Sequence, residues 1–65
     1  MFDEWELYEQ TEKIYGTASQ KGDIVLFMYR IREFNTWRVY NPIRDVQFIV
    51  GGGVANRHSG HFKKL

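Results

Sequence analysis

Apolar residues concentrate in one nearly unbroken run. From Asp23 to Ile31 the chain reads Asp-Ile-Val-Leu-Phe-Met-Tyr-Arg-Ile, rich in β-branched and aromatic side chains, directly after a Lys21-Gly22 turn signal. A run of this length between punctuators predicts a strand rather than a helix. Alternation assigns Val25, Phe27, Tyr29 and Ile31 to one face, and Ile24, Leu26, Met28 and Arg30 to the other. Both faces are largely apolar, so the run is expected at the centre of a sheet with cover on both sides.

Residues 3–15 follow a longer period. Asp3 and Glu6 have the spacing of a capping box, and acids fill what would be the first helical turn. At about 100° per residue, Leu7, Tyr8, Thr11, Ile14 and Tyr15 share one face, opposite Glu6, Glu9, Gln10 and Lys13. Gly16 supplies a stop. The pattern predicts an N-terminal helix, with Trp5 at the edge of its apolar stripe and Phe2 outside it. A competing reading makes Lys13–Ala18 a strand, paired through Gln20-Lys21-Gly22 with the central one.

Downstream, Arg32-Glu33-Phe34-Asn35 reads as a hairpin loop, with Asn35 suited to left-handed geometry. Thr36–Asn41 is a second strand, with Trp37 and Val39 on one face and Thr36, Arg38 and Tyr40 on the other. Asn41-Pro42 ends it. Asp45–Val50 alternates as a third strand, and Gly51-Gly52-Gly53 follows as a bulge or strand exit. Val54–Asn56 offers one more pairing. Residues 58–65 read as a flexible basic C-terminal tail, from which Phe62 and Leu65 can dock.

The expected architecture is therefore α+β. Residues 1–57 form a single mini-domain in which an N-terminal helix packs on a three- to four-stranded antiparallel β-meander. The segment Lys21-Gly22-Asp23-Ile24-Val25 is similar to the entry to the first strand of SH3-like barrels. That likeness is confined to those residues and identifies no family. It implies an alternative architecture, a small SH3-like β-barrel with the same N-terminal helix.

Size sharpens this picture. A chain of 65 residues buries only roughly 60% of its unfolded surface, which leaves it marginal. It has no cysteine, so neither disulfides nor thiolate metal sites contribute. Aromatic residues make up 17% of the chain, which gives a small core much area from few side chains. The acidic N-terminus lacks the basic and apolar regions of a secretory leader, and the longest apolar run is too short for a bilayer. The expectation is a complete soluble protein, cytoplasmic and without membrane contact.

Charge is unevenly spread. Residues 1–15 carry five acids against Lys13, a balance of −4, while residues 16–65 carry eight bases against three acids, a balance of +5. Such polarity suits an internal attraction, a head-to-tail contact or a charged partner.

Candidate chemistry is thin. His58 and His61 are the only histidines, and without a cysteine or a helix-borne acidic motif they make a weak metal signal. Ser59 beside His58 is adjacency in sequence, which does not supply nucleophile–base geometry. The triple glycine lacks the Lys-Ser or Lys-Thr of a phosphate loop. No enzymatic activity, cofactor or metal is expected.

Binding is the class that remains. Arg, Trp and Tyr are the residues enriched at interface hot spots, and this chain has more of them than so small a core requires. The residues expected to meet a partner are Trp5, Glu6, Glu9, Arg30, Trp37, Arg38 and Tyr40. The leading expectation is a non-enzymatic protein-binding module acting as a stoichiometric inhibitor or adaptor, homodimeric through an open strand edge. Virus-encoded antagonists of host macromolecules share this size and lack of chemistry, an analogy of size alone. The alternative is a single-stranded nucleic-acid-binding protein that uses an aromatic and arginine sheet face.

Overall fold

The computed structural model describes residues 2–51 and 59–65 of the chain. Five antiparallel strands form one sheet: β1 (Glu6–Gln10), β2 (Ile24–Ile31), β3 (Thr36–Asn41), β4 (Val46–Gly51) and β5 (Phe62–Lys64), in the order β4-β3-β2-β1-β5. The apolar run after Gly22 is β2 and lies at the centre. Asn35, left-handed at φ 51°, closes the short 3-10 turn Arg32–Phe34 that leads into β3. The β3 boundaries match the sequence expectation, whereas β4 begins and ends one residue later than expected.

The α+β expectation is overturned, and with it both architectures that included an N-terminal helix. Residues 6–10 are extended and pair with β2 on one side and β5 on the other. Lys13–Ala18 is neither helix nor strand but part of the loop joining β1 to β2. The physical reason lies in the interior. Phe2, Tyr8, Phe27, Trp37 and Phe62 already fill the inner face of the sheet, with the Phe2 ring centre 4.3 Å and the Phe62 ring centre 4.9 Å from that of Phe27. No space is left there for a helix. As a strand, the same segment satisfies its backbone groups through two ladders at once.

The C-terminal residues expected as a tail complete the sheet. Ser59–His61 forms a second 3-10 turn, and Phe62 then pairs with Gln10, Lys63 with Glu9 and Lys64 with Tyr8. The suggested pairing of Val54–Asn56 and most of the triple glycine lie outside the described residues. Gly51, the described member, ends β4 at φ 83°, close to the Asn35 carbonyl.

One sheet face holds the core: Tyr8, Val25, Phe27, Trp37, Val39, Phe48, Val50 and Phe62, joined by Phe2 from the N-terminal segment and Ile14 from the β1–β2 loop. A polar network closes one end of this interior. Ser19 donates to Gln10 Oε1, and Asn41 Nδ2 donates to Ser19 Oγ at 2.7 Å and to Asp23 Oδ2 at 2.9 Å. Asn41 Oδ1 in turn accepts the amides of Ile43 and Arg44, which shapes the β3–β4 turn. Arg44 reaches back to Asp23, with Nε–Oδ2 at 3.0 Å. These buried groups have partners, as burial requires.

Candidate binding face

The second sheet face has no covering layer among the described residues. Its composition follows from strand alternation and from one bulge. Phe27 pairs with Val39, but the next pair is Tyr29 with Arg38, so Met28 is the extra residue. A bulge of this kind switches the side-chain parity of everything beyond it. Tyr29 therefore turns to the outer face and Arg30 comes beside Trp37. Unbroken alternation places them the other way round, as the sequence reading did.

Two transverse rows result. In the first, Gln47, Tyr40, Leu26 and Leu7 are successive cross-strand partners, and the Leu65 amide bonds to the Leu7 carbonyl at 3.2 Å. In the second, Ile49, Arg38 and Tyr29 are partners, and the Trp5 ring lies 6.3 Å from that of Tyr29. Trp5 is 60% exposed, Leu7 48%, Tyr29 41%, Ile49 47% and Leu65 64%, too much apolar area in one place to be scattered chance. Arg38 is the one charged side chain of the two rows. Beyond them, Ile24, Glu9 and Lys63 form a third line across β2, β1 and β5.

Of the residues singled out from sequence, Trp5, Glu9, Arg38 and Tyr40 share this outer face. Tyr40 donates its hydroxyl to Asp45 at 2.9 Å, an acceptor that holds the phenol's pKa above its ordinary value. Trp37 lies elsewhere, sealed in the core at 5% exposure. Glu6 sits at the rim of the inner face, 3.6 Å from Lys64. Arg30 donates Nη2–H to Asn35 at 2.6 Å, while its amide bonds to Glu4. Leu7, Leu26, Tyr29, Ile49 and Leu65 were not among the sequence candidates. A strand reading of residues 6–10 would have exposed Leu7, and no local signal marks the bulge that exposes Tyr29.

A cleft of about 310 Å³ opens on the opposite side, lined by Phe2, Asp3, Glu4, Arg30, Arg32 and Trp37. Most of its polar groups are already engaged. Lys64 Nζ lies 2.7 Å from Asp3 and holds that carboxyl below its usual pKa, and Glu4 accepts the Arg30 amide. Both rings that line it are buried. Among the described residues, no group of His, Asp or Glu converges on a metal-sized site, and no helix is long and apolar enough to cross a membrane. No family model, curated protein or solved structure matches this chain.

Proposed function

We propose that this chain is a non-enzymatic protein-binding module that docks through its outer sheet face. One observation carries the reading: two adjoining rows on the face opposite the core in which Trp5, Tyr29, Ile49, Leu7 and Leu65 are exposed apolar side chains, with Leu26 and Tyr40 half-buried between them. A partner that covers them removes apolar area from water at about 25 cal/mol per Å². Trp5 and Tyr29 act as anchors, since they are large, rigid and already ordered against each other. Arg38 sets register against an acidic or carbonyl group at the centre of the partner. A module with these properties works as a stoichiometric inhibitor or adaptor.

The test compares proteins retained from a lysate by the parent chain and by Trp5→Ala, Tyr29→Ala and Ile49→Asp. Tyr15→Ala and Phe34→Ala alter exposed rings outside the two rows and serve as controls. A protein lost with the first set and kept with the controls supports the reading. Equal retention by all variants sinks it.

A second reading rests on the Trp5–Tyr29 pair beside Arg38, which is also a stacking platform for single-stranded nucleic acid. It is less favoured because Arg38 and Lys63 are the only bases among the three lines of outer-face residues, and Glu9 lies opposite Lys63. Anisotropy with labelled oligonucleotides at two salt concentrations separates the readings. Salt-sensitive binding lost in Trp5→Ala would replace the protein partner with a nucleic acid.

A further inference from the structure

The sheet ends on two edges of opposite character. β5 has three residues, and two of them are Lys63 and Lys64. Short length and lysines are how natural sheets keep an open edge from pairing. β4 has six residues, Val-Gln-Phe-Ile-Val-Gly, with no charge and no proline. In its ladder with β3, alternate residues of β4 direct their N–H and C=O groups away from that partner. Among the described residues no strand lies beyond it. Phe48 and Val50 are committed to the core, whereas Gln47 and Ile49 are exposed on the outer face.

We propose that β4 pairs antiparallel with β4 of a second copy of this chain, across a two-fold axis, joining the two sheets edge to edge. The strand is complementary to itself. A register centred on Phe48 sets Phe48 against its own equivalent, Val46 against Val50, and Gln47 against Ile49 at both crossings. Phe48 thus meets Phe48 and Val46 meets Val50 on the core side, the kind of cross-strand pair that stabilises sheets. The Phe48 pair lies on the axis and every other pair is made twice, as a two-fold interface demands. An uncharged edge has no ion pair with which to select a different protein, so the identical strand is the occupant it fits best. The same register keeps the core-facing residues of both copies on one side. It also extends the outer row Trp5–Tyr29–Arg38–Ile49 into Gln47 of the second copy. The inference stands independently of what the outer face binds.

Sedimentation velocity on the full chain across a range of concentrations is the direct test, and a monomer–dimer equilibrium is expected. Gln47→Lys with Ile49→Lys places lysine opposite lysine at both crossings and should weaken the dimer by about tenfold or more, since like charges directly opposite destabilise a ladder. Gln47→Lys with Ile49→Glu places opposite charges there and should restore it. A parent chain that is monomeric at every concentration overturns the proposal. So does a dimer that survives the double lysine variant, or two charge variants that behave alike. Hydrogen exchange on the unsubstituted chain tests the edge without relying on any variant's folding. The β4 amides that point outward should gain protection as concentration rises, while Lys63 and Lys64 should not; exchange in β4 that ignores concentration rejects the edge.

Discussion

Trp5 holds a backbone conformation that its side chain does not favour. Its φ is 58°, in the left-handed region, where a side chain costs roughly 1–2 kcal/mol. Its amide satisfies two carbonyls of β2, Phe27 and Met28, so the conformation is imposed by the entry into β1. Asparagine tolerates this geometry better, yet the position carries an exposed tryptophan. Trp5→Asn should therefore leave the denaturation midpoint unchanged or slightly raised while abolishing partner capture; a fall of more than about 1 kcal/mol in stability would show the indole to be structural. Asp23 illustrates the opposite case, a polar residue kept for the fold. Hydrogen bonds from the Arg44 guanidinium lower its pKa from 3.8 to about 2 against the opposing effect of burial, helped by Asn41 and the Gln20 amide. A depressed folded-state pKa stabilises above the unfolded value and loses that contribution as pH falls through the folded one. The contribution from Asp23 is thus complete above pH 3.8 and fades toward pH 2. Melting temperatures measured across that window should fall less steeply for Asp23→Asn than for the parent chain. Trp5 was a sequence candidate for partner contact, but its left-handed backbone was not legible there, and neither was the role of Asp23. Asp23 lies 21 positions from Arg44, and the contact exists only once the β3–β4 turn folds back.

The strands were legible in unequal measure. β2 and β3 announced themselves by composition and by the turn residues around them, and Asn35 adopted the left-handed geometry expected of it. β1 did not, because Leu7, Tyr8, Thr11 and Ile14 fit a helical stripe as well as any strand pattern. What decided the matter was tertiary: a central strand needing a neighbour and an interior already filled by rings. The bulge at Met28 was equally hidden, and with it the placement of Tyr29 and Arg30. β5 is the clearest case of an element too short to declare itself. Its importance is nonetheless checkable, since Phe62 is buried at 9% exposure against Phe27 and Phe2. Phe62→Ala should cost about 3–5 kcal/mol, the range for losing a core aromatic, as read from urea midpoints at constant slope. A loss below about 1 kcal/mol would mean that β5 is only loosely attached.

Among the described residues, the molecule is a single five-stranded sheet with a core on one face and exposed side chains on the other, stabilised by rings and hydrogen bonds. The charge asymmetry seen in the sequence is partly spent inside it: acids of the N-terminal segment meet Lys64 of β5 and the Arg30 amide. Those pairs are exposed, so added salt should shift the melting temperature only slightly. A large salt-induced loss would show that the acidic segment is held chiefly by charge. The shortage of space explains why the aromatic surplus divides as it does. Six rings, Phe2, Tyr8, Phe27, Trp37, Phe48 and Phe62, saturate the core, Trp5, Tyr15, Tyr29 and Phe34 are left exposed, and Tyr40 is half-buried on the outer face. From the sequence the surplus was countable but its members were not, because ring identity does not say which parity a strand will have.

The two indoles stand in opposite surroundings, one walled in by rings and one open to water, and this makes the protein its own fluorophore pair. Iodide or acrylamide should quench Trp5 and spare Trp37, so the emission separates into a wet and a dry component without any label. A ligand arriving on the outer sheet face should blue-shift the wet component alone, and melting should red-shift the dry one. Docking and unfolding can then be followed in one cuvette as separate colours.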